Sequence, residues 1–128
     1  MMTRRMHSVM LAIEASQRGG GVALRTPDGG AQAELFVERK RHDDDLWPAI
    51  DRLFKRANLS PSDLNAVAVS IGPGGFTGLR IATATAKALA ETTGCAIVAV
   101  PSALVAAEAC AERGPILVLL ASKRDNAW

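Results

Sequence analysis

Tyrosine is absent from the 128 residues, and two tryptophans and three phenylalanines bring the aromatic share to only 4%. Such a chain has few platforms on which exposed bases could stack. Its 15 Lys+Arg against 13 Asp+Glu leave a formal charge of +2, dispersed along the sequence, which argues against direct RNA or DNA binding. Cysteine is scarce: Cys95 and Cys110 stand alone, outside any Cys-x-x-Cys pair or Cys/His cluster. That excludes a disulfide scaffold or zinc module and predicts two buried free thiols in a reducing compartment. The two histidines, His7 and His42, lie far apart and in no H-x-x-x-H or H-E-x-x-H pattern, which leaves neither a metal pair nor a base for a triad. Long apolar runs are missing as well. Val9–Ile13 follows Arg4 and Arg5 but is broken by Glu14, too early for a signal peptide. The runs Ala96–Val100 and Ile116–Ala121 fall far short of the ~20 residues of a membrane span. A cytoplasmic location is expected.

What the chain does contain is 48% apolar and 22% charged residues, the composition of one ordinary globular domain over residues 1–128. A chain of this size buries roughly two thirds of its unfolded surface, enough for one core. Ser8–Ala15 and Gly20–Thr26 read as a hairpin around the Gly19-Gly20-Gly21 turn. Pro27-Asp28-Gly29-Gly30 then supplies turn chemistry before Gln32–Glu38, which alternates as a half-buried strand. Beyond Arg39-Lys40-Arg41-His42, the residues Leu46, Ile50, Leu53 and Ala57 recur at helical spacing and predict a first helix from about Asp44 to Ala57, with Pro48 near its first turn. Ala66–Ile71 reads as a central strand covered on both faces, and a long helix follows the glycine turn as far as Thr93, where Gly94 ends it. A buried strand Ala96–Val100, a helix capped by Ser102 and running to about Arg113, and a sixth strand Ile116–Leu120 complete the pattern.

The order β-β-β-α-β-α-β-α-β, with right-handed crossovers, specifies an α/β fold with a mixed sheet: a ribonuclease H-like or actin-like ATPase lobe. A two-metal nuclease on that fold needs carboxylates from the first strand, the first helix and the fourth strand. Glu14 and the Asp43-Asp44-Asp45 triplet supply part of the set, but the fourth strand ends in Ser70-Ile71-Gly72 without an acid. The aspartates suit a helix start, where they complement the dipole, and Ser16 and Ser70 suit turn or capping hydroxyls.

Gly72-Pro73-Gly74-Gly75-Phe76-Thr77-Gly78 is the most informative segment. A strand, a tight glycine turn and a helix N-terminus together present amides that can hold a phosphate. The spacing satisfies neither G-x-G-x-x-G nor a P-loop, and Pro73 removes a donor. Gly72, Gly74, Gly75, Thr77, Gly78 and Arg80 are thus weak candidates for a phosphate site, set against close helix packing as the other explanation of the glycines. In the helices, Leu46, Ile50, Leu53 and Ala57 form one stripe, widened by Trp47 and Phe54, and Leu79, Ile81, Ala82, Thr85, Ala86, Ala88 and Leu89 cover about half of the second helix. That arc exceeds one sheet contact, so the remainder is buried either under the first helix or against another subunit.

Leu11-Ala12-Ile13-Glu14-Ala15-Ser16, Arg41-His42 leading into Leu46-Trp47-Pro48-Ala49-Ile50, Ser70 to Ile81 across the glycine turn, and Ala84-Thr85-Ala86-Lys87 together resemble the TsaB (YeaZ) family of tRNA threonylcarbamoyladenosine biosynthesis, a paralogue of TsaD. The resemblance covers nearly the whole chain. It implies an actin-like fold and a non-catalytic scaffold that pairs with a TsaD-like catalytic subunit through its first two helices, alongside a TsaE-like ATPase. On that pairing, Leu46, Trp47, Ile50, Phe54, Leu79, Ala82, Thr83, Ala86, Leu89 and Ala90 are expected at the interface, with a homodimer as the other arrangement. It further implies no cofactor of its own, ATP and magnesium being held by partner subunits, and only indirect contact with tRNA. TsaD carries metal-binding histidines that have no match here. Two motifs depart from the family pattern: Glu14-Ala15-Ser16 stands where Asp-Thr-Ser is usual, and His42-Asp43-Asp44 where His-Ser-Glu is usual. Family members have a second lobe after the strand expected at residues 116–120. A fragment, a truncated paralogue and a reduced stand-alone lobe all fit that observation.

Overall fold

The structure, a computed structural model, describes residues 7–36 and 42–120. A three-stranded antiparallel meander comes first: β1 (Met10–Glu14), β2 (Gly21–Arg25) and β3 (Ala31–Leu35). After α1 (His42–Ala57), a 3-10 turn leads to β4 (Ala66–Ser70), α2 (Phe76–Thr93), β5 (Ala96–Val100) and α3 (Ser102–Glu108). The sheet order is β3-β2-β1-β4-β5, with β1, β4 and β5 mutually parallel. β4, whose Ala-Val-Ala-Val run is apolar on both faces, lies between β1 and β5, as a continuous apolar strand requires. Gly94 closes α2 in the left-handed conformation at φ 75°, which costs glycine nothing, and its amide caps the Ala90 carbonyl.

Alternation decides which face of the sheet is buried. Leu11 and Ile13 of β1, Val22 and Leu24 of β2, and Val67 and Val69 of β4 point to one side. There they meet Leu46, Ile50, Leu53 and Phe54 of α1 and Ala82, Ala86 and Leu89 of α2 in a single apolar cluster. Leu11, Leu24, Leu46 and Leu53 are wholly enclosed, and each contributes roughly 1.5–3 kcal/mol of transfer free energy. Met10, Ala12 and Glu14 point to the opposite side with Gly21, Ala23 and Ala33, and this second face stays partly open.

Several expectations need correction. Residues 116–120 form no strand, so the described sheet has five strands, and Ile116, Leu117 and Leu119 are exposed. With no strand beyond it among the described residues, β5 is an edge there, and its Ile97 and Val98 are exposed rather than buried. β3 stops at Leu35 where a strand to Glu38 was expected, and residues 37–41 lie outside the described part. α1 starts at His42, two residues early, which puts Pro48 inside the helix rather than near its first turn. There it leaves the residue 44 carbonyl without its usual intrahelical donor. α3 ends at Glu108, well before Arg113, and its N-cap is Pro101. Only Cys95 of the two free thiols is buried; Cys110 is exposed because α3 ends before it. Ala68 of β4 is only half-buried on the other side, where, among the described residues, the short α3 lines the same groove through Val105.

Candidate functional site

The glycine turn joins the ends of three strands. Ser16 lies just after β1, and its carbonyl accepts the Gly75 amide at 2.7 Å. Its own amide donates to Glu14 Oε1 at 2.6 Å, and its hydroxyl donates to the same oxygen. Across the junction, the buried Ser70 hydroxyl at the end of β4 accepts the Ala15 amide at 3.4 Å. On the far side, Gly72 and Ser102 are paired twice. The Gly72 amide donates to Ser102 Oγ at 3.1 Å, and the Ser102 amide donates to the Gly72 carbonyl at 2.9 Å. Ser102 was expected as a helix cap and instead anchors the turn to the start of α3.

Contact here is close. A Cβ on Gly74 would stand 2.2 Å from the Ser16 carbonyl oxygen and 2.7 Å from its Cβ, nearer than side-chain carbon can come, so only glycine fits. Of the donors a phosphate would use, the amides of Gly72 and Gly75 are already engaged and Pro73 has none. Thr77 and Gly78 open α2, with Gly78 buried against the fold. Arg80 lies 5.3 Å above the ring of Phe76, a cation–π pair at the surface rather than a side chain turned into the glycine turn. Glu14 Oε2 is enclosed and has no hydrogen-bond partner. Among the described residues, no group of three or more His, Cys, Asp or Glu is placed to hold a metal ion.

The residues expected at an interface divide sharply. Leu46, Ile50, Phe54, Ala82, Ala86 and Leu89 are at most 3% exposed and belong to the core of the single chain, a correction to their expected place at the surface. The reason is geometric: α2 lies over β4 and β5 with α1 beside it, so sheet and neighbouring helix together cover most of its wide apolar arc, while Ala88 stays exposed. Trp47 remains 47% exposed, and Leu79, Thr83 and Ala90 are half-buried. The surface of α2 is instead built from Phe76, Arg80, Ala84 and Lys87, around a shallow groove of about 380 Å³ that also includes Leu79 and Thr83. Phe76, 68% exposed, was missed as a surface residue, although its i, i+4, i+8 phase with Arg80 and Ala84 was available as a signal.

On α1, Arg52 and Arg56 both reach Glu34 on β3, Arg52 at 3.2 Å. The Arg52 hydrogen bond, with help from Arg56, holds the Glu34 carboxyl below its ordinary value, outweighing the desolvation that pushes it up. This triad pins α1 over the edge of the meander.

A mixed sheet ordered β3-β2-β1-β4-β5, with two helices on one face and a glycine turn braced against the end of β1, is one lobe of the ribonuclease H-like, actin-like class. The family model described as "TsaD: tRNA N6-adenosine threonylcarbamoyltransferase" matches residues 26–127, and the chain belongs to this family. The relatives it matches place it with the TsaB (YeaZ) proteins. It is 34% identical over 93 residues to the tRNA threonylcarbamoyladenosine biosynthesis protein TsaB of Bacillus subtilis, covering 73% of this chain and 41% of that one. Over 81 residues it is 33% identical to TsaB of Escherichia coli, covering 63% of this chain and 35% of the relative. The solved structure of YeaZ from Pseudomonas aeruginosa superposes with a TM-score of 0.73 at 33% identity, over 80% of this chain and 48% of that one. The chain thus spans less than half the length of these relatives.

Proposed function

We propose that the chain is an accessory, non-catalytic component of tRNA threonylcarbamoyladenosine biosynthesis in the cytoplasm, docking on a TsaD-like catalytic subunit through the outer faces of α1 and α2. A TsaE-like ATPase completes the assembly, ATP and magnesium are held by the partner subunits, and tRNA is reached only through them. The observation that carries this reading is the surface of α2. After the core has taken Ala82, Ala86 and Leu89, α2 still presents Phe76 with Thr83 and Ala84 beside it, flanked by Arg80 and Lys87. Small residues at the centre of a helix face let another helix approach closely, and an aromatic at its end supplies an anchor. On α1, Trp47 is a further exposed apolar side chain. Support for the non-catalytic part comes from the glycine turn, whose Gly72 and Gly75 amides serve the fold.

Co-elution in gel filtration with the TsaD-like protein of the same organism tests the reading. Ala84 is exposed, so Ala84→Arg is expected to leave the circular dichroism unchanged and abolish co-elution. Normal co-elution of Ala84→Arg would place the docking surface elsewhere. A chain that elutes alone as a dimer, and as a monomer after Ala84→Arg, would favour the homodimer instead.

A further inference from the structure

We propose that the partner docked on α2 meets it with an acidic helix face, one carboxylate for Arg80 and one for Lys87, rather than with a second copy of this chain. This rests on the docking of α2 proposed above and adds the chemistry of the occupant. Opposite the buried Gly78, Ala82, Thr85, Ala86 and Leu89, the helical period sets Arg80 and Lys87 within roughly 30° of the midline of the outer face. They stand two turns apart, about 10 Å along the axis, with Thr83 and Ala84 between them. Hollows lie on both flanks of this line, one of about 380 Å³ beside Leu79 and Thr83 and one of about 280 Å³ beside Thr77 and Ile81.

Neither cation is neutralised within the fold. Among the described residues, ion pairs join Arg52 and Arg56 to Glu34 and Lys55 to Asp51, and neither Arg80 nor Lys87 takes part in one. Arg80 lies 5.3 Å from the Phe76 ring, a contact that holds its side chain along the outer face without offsetting its charge. While exposed, both side chains are solvated. Beneath a docked helix they lose that water, and a cation so covered is unfavourable unless the partner supplies a carboxylate.

A second copy of the chain cannot meet this need from α2. The helix carries one acid, Glu91, against the two cations. In a two-fold antiparallel pair that brings Glu91 to Arg80, Lys87 falls opposite Ala84, so one cation of each copy stays unpaired at the centre of the contact. A partner helix with two carboxylates a heptad apart, and small or aliphatic residues between them, pairs both cations and leaves Thr83 and Ala84 in apolar contact.

The test uses the full chain and the TsaD-like protein of the same organism, with the dissociation constant followed by sedimentation at low and high salt. Association is expected to weaken at least about tenfold from low to high salt. Lys87→Glu, which sets two carboxylates against each other, is expected to weaken it at least about tenfold at low salt. The double variant Arg80→Gln with Lys87→Gln is expected to bind with most of the salt dependence gone. Both positions are exposed, so circular dichroism should be unchanged in each variant. Binding that ignores salt, or parent-like binding by Lys87→Glu while Ala84→Arg abolishes association, would overturn the acidic partner and leave the docking surface standing. Parent-like binding by Ala84→Arg would remove both. A dimer of the chain alone that is lost in Glu91→Gln would make the occupant a second copy and overturn the proposal.

Discussion

The carbonyl of Ser16 accepts the Gly75 amide at 2.7 Å while Gly74 lies so close that a side-chain carbon there would stand 2.2 Å from the same oxygen. The end of β1 and the start of α2 are therefore held at a distance only glycine permits. Gly74→Ala has to push the turn away from Ser16, and a stability loss of about 1–3 kcal/mol is expected. Urea denaturation checks this, and an unchanged midpoint would mean that the junction gives way without cost.

Ser102 is expected to matter as the partner of the turn rather than as a helix cap. In Ser102→Ala the part-buried Gly72 amide loses its acceptor, at a cost of about 1–3 kcal/mol. Hydrogen exchange at Gly72 should accelerate in the same variant. Protection as in the parent chain would contradict the pairing.

Two neighbouring alanines on α2 should behave in opposite ways. Ala86 is 1% exposed under the sheet, and Ala86→Arg buries a charge without a partner, so a loss of more than about 4 kcal/mol or outright unfolding is expected. Ala84→Arg, two residues earlier on the outer face, should shift stability by no more than about 0.5 kcal/mol. Thermal melts of the pair decide whether the helix is oriented as described.

Glu34 should stabilise the fold above its ordinary titration range and lose that effect in acid. Its carboxyl is held low in the folded chain, first by the Arg52 hydrogen bond and then by Arg56. The unfolded chain therefore takes up a proton first, near pH 4.3, and the contribution fades as pH falls from there through the lower folded value. Glu34→Gln should flatten this part of the stability curve and leave it unchanged in slope near neutrality. High salt should reduce the difference, since the triad is close to solvent.

Titration calorimetry with magnesium and ATP should give no saturable heat at millimolar nucleotide, because the Gly72 and Gly75 amides already serve Ser102 and Ser16. Saturable heat that disappears in Gly75→Val would restore the phosphate-binding reading of the turn.

The meander, the order of the later elements and the glycine turn were legible because each depends on near neighbours. Alternation in β1 and β2, turn chemistry at Pro27–Gly30 and a glycine at position 94 act over a few residues. The sixth strand was not legible. Ile-Leu-Val-Leu-Leu has strand composition, but a strand exists only where a paired edge receives it, and residues 116–120 have none in the described structure. Ser102 shows the same limit. As a helix-start serine it reads as a cap, and its bond to an amide 30 residues earlier leaves no mark in the local sequence.

By itself the sequence determined the class of fold, the family and two helices with apolar arcs, the second too wide for a single sheet contact. Tertiary structure alone decided how those arcs are used. Ala84 and Ala86 are the same residue type on the same helix, yet one faces outward and the other is sealed in the core. What separates them is the placement of α2 over β4 beside α1, and that placement arises from contacts between residues remote in the chain, which no local period records.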